Sequence, residues 1–163
     1  MSKRMEELLK GYPEMVQRRD CLAYQIAHFK GLSVEEVIQS MYTPRQDGER
    51  VQSSTVSDKT AQIALTYQER RERMNREWFA YLEAQLKELS DELSFLEAAI
   101  HSLTDVQADI MWDMVVEQMK WDAIERKYRI SHTTLYRQRR KAISRLENLY
   151  AQQEHEFASF VLG

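Results

Sequence analysis

The stretch FAYLEAQLKELSDELSFLEAAIHSL, residues 79–103, decides the fold class. Phe79, Leu82, Leu86, Leu89, Leu93, Leu96, Ile100 and Leu103 recur at alternating intervals of three and four, the spacing that lines one face of a helix at the coiled-coil period. At 1.5 Å per residue the stripe is about 37 Å long. The strict period predicts a seam between copies of the chain over Phe79, Leu82, Leu86, Leu89, Leu93, Leu96 and Ile100, hence a homo-oligomer. Packing inside the chain's own helical bundle is the alternative. Upstream, Ala64, Tyr67, Met74 and Trp78 form a stripe offset by one residue, which predicts a stutter near 78–82.

Little around this stretch interrupts a helix. Glycine occurs only at 11, 31, 48 and 163 and proline only at 13 and 44, so neither lies between Glu49 and Leu162. A sandwich or barrel needs turns that such a composition cannot supply, and βαβ units are disfavoured for the same reason. The predicted fold is all-α: N-terminal helices, a long coiled-coil-like helix and a C-terminal helix-turn-helix domain. The expected boundaries are 1–57, 58–103 and 104–163.

Toward the N-terminus, residues 2–29 read as helical on a rough apolar face that includes Leu8, Leu9, Tyr12, Met15, Val16, Leu22, Ile26 and Phe29, and Pro13 is expected to bend or divide the segment. Ser33 and Glu36 form a capping box that opens a short helix to about Met41. Residues 42–57 are polar and turn-rich and read as a loop, with Ser57 or Asp58 capping the long helix.

The chain has 163 residues, 43% hydrophobic and 30% charged, enough for a modest core under a charged surface. No apolar run approaches the ~18 residues a membrane span needs, and the N-terminus lacks the apolar core of a secretory signal. Cys21 is the single cysteine, so no internal disulfide forms and a reducing cytoplasm is the expected setting. The histidines at 28, 101, 132 and 155 show no zinc spacing. Neither a Gly-rich phosphate loop nor a spaced nucleophile-base pair is present, so no catalysis, metal or cofactor is expected.

Charge is unevenly placed. Residues 120–145 carry nine Lys/Arg against two acids, a local charge of +7, while the other 137 residues sum to −10. Clustered cations attract phosphates and gain from counterion release, which points to a nucleic acid.

The block lies in WDAIERKYRISHTTLYRQRRKAISRL, residues 121–146. Trp121, Ile124 and Tyr128 mark a short helix, Arg129 a tight turn, Ile130 a side chain returning to the core and Ser131 the N-cap of a second helix. Leu135, Ala142 and Leu146, flanked by Ile143, face inward on that helix. His132, Thr133, Tyr136, Arg137, Arg140 and Lys141 fall on its outer face. Arg donors for guanine edges and hydroxyl or Lys donors for phosphates are what a major-groove helix needs. Before this unit, Thr104 and Gln107 read as a second capping box, and Val106, Ile110, Met111, Met114, Val115 and Met119 as one apolar face. Asp105, Asp109, Asp113 and Glu117 line the opposite face. These acids are expected to be solvated or salt-bridged and to point away from DNA.

Residues 103–149 resemble region 4 of bacterial sigma factors. The whole chain resembles phage and prophage transcriptional regulators of the ArpU/RinA type, through this unit and the SSTVSDKTAQIAL stretch (53–65) before a long helix. The resemblance implies sequence-directed binding to double-stranded DNA at phage promoters and activation of transcription, with RNA polymerase as a candidate second partner. It places DNA contacts on Thr133, Thr134, Tyr136, Arg137 and Arg140. Two positions depart from the motif: Glu125 stands where a small residue is usual, and Arg129 where glycine is frequent. Arg129 must therefore accept a positive φ or use a different turn. A small terminase subunit that binds viral DNA for packaging is the alternative function, and a scaffold without DNA the third.

Overall fold

The computed structural model describes residues 3–33, 35–37 and 56–163, with the backbone alone for 56–64 and Asp105. The chain is all-helical, in the order α1 (Lys3–Ala27), α2 (Val56–His101), α3 (Asp105–Val115), α4 (Trp121–Tyr128) and α5 (His132–Leu162). Among the described residues no helix is long and apolar enough to cross a membrane. Residues 38–55, which hold the end of the short helix expected to reach Met41 and most of the expected loop, lie outside the described residues.

Two compact units form, and they cut across the boundaries expected from sequence. One comprises Met1–Cys21 with Lys87–Gly163, the other Leu22–Leu86. The first unit has its core where α1, the end of α2, α3 and α5 meet. Met5, Leu9 and Tyr12 pack with Leu93, Leu96, Ile100 and Leu103, with Met111 and Val115, and with Ala142, Ile143 and Leu146. Tyr12 also donates to Glu97 Oε1 at 2.7 Å, linking α1 to α2.

The heptad stripe therefore has a different use from the one its period suggests. Leu93, Leu96 and Ile100 are at most 1% exposed within one chain, which leaves no apolar area for a partner there. Leu86 and Leu89 are half-buried, Leu89 against the same core. Phe79 and the buried Leu82 belong to the other unit. For the second half of the stripe the intermolecular seam is corrected to an intramolecular core. A 3.5-residue period fits any long packed helix face, whichever chain covers it.

Pro13 does not divide α1. It cannot donate to the Leu9 carbonyl, yet Leu9 and Tyr12 before it and Met15 and Val16 after it all pack on the same core. Tertiary packing holds the helix through the missing bond. The long helix is described from Val56, which places the backbone of Ser57 and Asp58 within it.

In the second unit, Gly31 takes φ +80, a conformation that glycine adopts without a Cβ clash, and turns the chain toward α2. There the Leu32 amide donates to Asn75 Oδ1 at 2.7 Å and Phe29 meets Phe79 edge-on at 5.1 Å. The Ser33 capping box forms as expected: the Ser33 amide donates to Glu36 Oε2 at 2.7 Å and the Glu36 amide to Ser33 Oγ at 3.2 Å. Those bonds to Ser33 hold the Glu36 carboxyl below its ordinary range.

Candidate nucleic-acid interface

α3 and α4 end without glycine. Gln118 (φ 53) and Arg129 (φ 54) both take the left-handed conformation in its place. After α3, the Met119 amide reaches back to the Asp113 carbonyl at 2.8 Å, and after α4 the Ile130 amide reaches the Glu125 carbonyl at 3.1 Å. These bonds satisfy carbonyls that a helix end leaves open. Arg129 accepts the positive φ, with ψ 44.

Between these reversals, α4 is fixed by apolar packing and by one carboxylate. Ile110, Ile124 and Leu135 are wholly buried against each other, with Trp121, Tyr128 and Ile130 around them. Asp113 on α3 is 6% exposed and accepts from Lys127 Nζ at 2.6 Å and from the Tyr128 hydroxyl at 2.7 Å. Burial, then the hydrogen bond to Asp113, pushes the Tyr128 phenol up to about 12. The same carboxylate raises the Lys127 ammonium above its ordinary value. The acidic face is thus not uniform: Asp109 and Glu117 are exposed, whereas Asp113 is an interior anchor.

The second capping box does not form. Thr104 holds the N-cap position of α3 without a side-chain cap bond. Arg145 of α5 takes both partners, donating to Gln107 Oε1 at 2.8 Å and to Thr104 Oγ1 at 3.3 Å, while Gln107 Nε2 donates to Gln138 Oε1 at 3.0 Å. A guanidinium with two acceptors outcompetes a neutral amide cap. Val106, placed on the apolar face of α3 by spacing, is 55% exposed.

α5 starts as expected. Ser131 Oγ accepts from the Thr134 amide at 3.3 Å, and Leu135, Ala142, Ile143 and Leu146 are fully buried on the inner face. Thr133, Tyr136, Arg137, Arg140 and Lys141 are exposed together on the outer face. Two predicted contact residues have other work. His132 is exposed, but its Nδ1 lies 2.6 Å from Glu125 Oε1 and its ring 5.1 Å from that of Trp121. Thr134 is half-buried and its hydroxyl lies 3.0 Å from that of Ser131, so it reinforces the cap.

The basic block is divided in the same way. Lys127, Arg139 and Arg145 are structural: Arg139 pairs with Glu6 of α1 at 3.3 Å, and the other two are held as described. Arg126 donates to the Asp122 carbonyl. Lys120, Arg129, Arg137, Arg140 and Lys141 are exposed, and no described side chain pairs with them. Lys120 and Arg129, at the two ends of α4, were not among the contact residues expected from sequence. Their membership of the +7 segment was the available signal. Among the described residues no group of three His, Cys, Asp or Glu side chains could hold a metal ion. Compared with protein-family models, curated proteins and solved structures, the chain matches none.

Proposed function

We propose that this chain binds duplex DNA in a sequence-directed manner and regulates transcription, entering the major groove with the first turns of α5. The observation that carries the proposal is the outer face of α5. Arg137, Arg140 and Lys141 stand exposed there, with no ion-pair partner among the described residues, beside Thr133 and Tyr136, on a helix whose inner residues Leu135, Ala142, Ile143 and Leu146 are fully buried. A rigid helix presenting unpaired guanidinium groups near its exposed start matches the demands of groove recognition. Arg137, nearer the N-terminus, is assigned to a base edge, Arg140 to a base or phosphate, and Lys141 to a phosphate. Lys120 and Arg129 add phosphate attraction from α4. The surplus of acids elsewhere keeps the rest of the chain off the polyanion. The resemblance to ArpU/RinA regulators supports activation at phage promoters as the process served.

Selection of bound duplexes from a randomised pool tests this. A recurrent sequence should be enriched, with affinity that falls as salt rises. Failure to bind any duplex at low salt would contradict the proposal.

A further inference from the structure

Glu125 of α4 and His132, the first residue of α5, meet across the turn at Arg129, with imidazole Nδ1 2.6 Å from carboxylate Oε1. An ionised carboxylate only accepts, so Nδ1 carries the proton of this bond. The same ring lies tilted against Trp121, with centroids 5.1 Å apart. It is thus held at two points, while the side chain stays 71% exposed. Nε2 is its one remaining polar atom, and no described group bonds it. It stands at the end of α5 assigned above to the groove, next to the exposed Thr133.

Charge decides what that nitrogen can meet. With a neutral ring, Nε2 is a bare acceptor and the Glu125 charge is uncompensated, and both repel a phosphate oxygen. A second proton cancels that charge and turns Nε2 into a donor, an exchange histidine makes between about pH 5 and 8. The neighbouring charges have other partners or positions. Asp122, Arg126 and Arg129 share an open hollow with Glu125, and Arg126 donates to the Asp122 carbonyl. On α3, the buried Asp113 is held by Lys127 and Tyr128. The amides at the start of α5 oppose a cation at position 132, and the Glu125 carboxylate offsets them.

We propose that Glu125 is a positioning residue for DNA binding. It holds His132 so that a proton taken from water onto Nε2 is donated, as a hydrogen bond, to a backbone phosphate of the duplex. The inference rests on the DNA-binding reading of α5 and adds to it a contact that depends on pH. As a backbone contact it strengthens matched and unmatched duplexes alike.

The test is the affinity of the full chain for the selected duplex and for an unrelated duplex of equal length, at pH 6, 7 and 8 and fixed low salt. Wild-type affinity should rise about tenfold from pH 8 to pH 6 on both, within the tenfold per pH unit that one proton permits. His132→Gln should lose this rise on both duplexes, and Glu125→Gln should lose most of it, with circular dichroism confirming that each variant is folded at both ends of the range. Arg140→Ala should bind more weakly yet keep the rise. Binding to no duplex would overturn the DNA-binding reading and this contact with it. Binding indifferent to pH, a rise that survives His132→Gln, or a rise that Glu125→Gln keeps in full would overturn the contact alone. A loss confined to one base pair would make His132 a base reader and overturn the phosphate assignment.

Discussion

Lys127 Nζ donates to Asp113 Oδ2 at 2.6 Å and so fastens α4 to α3 just before the chain reverses at Arg129. The carboxylate is buried while the ammonium side chain is 51% exposed, so the two partners do not lose equally when the pair is broken. Asp113→Ala leaves a lysine that water can reach and a half-buried Tyr128 hydroxyl without its acceptor. The expected cost is about 1–3 kcal/mol in urea unfolding. Asp109→Ala, four residues earlier on the exposed side, should cost less than about 0.5 kcal/mol. Equal effects would mean that both acids are surface residues.

The heptad stripe gives a second expectation. Leu93 is 1% exposed at the centre of the first unit's core. Leu93→Ala should therefore destabilise the fold by about 2–5 kcal/mol, read as loss of helix at lower denaturant. An assembly that falls apart while each chain stays folded would return this stripe to an intermolecular role.

Alkaline pH provides a third. Burial, with hydrogen bonds to Glu97 and Asp113 respectively, holds the Tyr12 and Tyr128 phenols at about 12 against an ordinary 10.0, and burial does the same for Tyr150. Between these values the folded chain keeps protons that the unfolded chain releases. Stability is therefore full below the unfolded value and declines as pH rises toward the folded one. Denaturant midpoints measured from neutral pH upward should fall in that window. Tyr128→Phe, though less stable at neutral pH, should show a shallower decline, and an unchanged slope would deny Tyr128 its part.

Arg129 gives a fourth. At φ 54 it carries the strain of a side chain in the left-handed region. Arg129→Gly should raise stability by about 1 kcal/mol, whereas Arg129→Val should lower it, as thermal melting would record. A glycine variant that melts earlier would mean the side chain contributes more than the strain costs.

These positions also show what could be read from the sequence. The all-α class followed from missing breakers and from helical spacing, both local properties. So did the caps at Ser33 and Ser131, the inner face of α5 and the cluster of exposed cations on its outer face. What failed needed three-dimensional neighbours. Asp113 and Asp109 are alike in a one-dimensional pattern, and only the return of α4 covers one of them. Thr104 and Gln107 satisfy the capping-box spacing, but Arg145, far along the chain, takes their oxygens. Leu93 to Ile100 carry a coiled-coil period because α1, α3 and α5 cover that face from within the chain. The chain reversals at Gln118 and Arg129 were hard to place because non-glycine residues make them.

The most direct measurement is the affinity of Arg137→Ala for a selected duplex and for its single-base variants, at several salt concentrations. Arg145→Ala serves as a structural control and Lys141→Ala as a phosphate control. Arg137→Ala should lose about 1–3 kcal/mol on the matched site and cease to discriminate at one base position. Lys141→Ala should weaken all sites alike and flatten the salt slope by roughly one unit. Arg145→Ala should leave base preference unchanged. If Arg137→Ala keeps both the affinity and the preference of the wild type, α5 does not read the groove and the account fails.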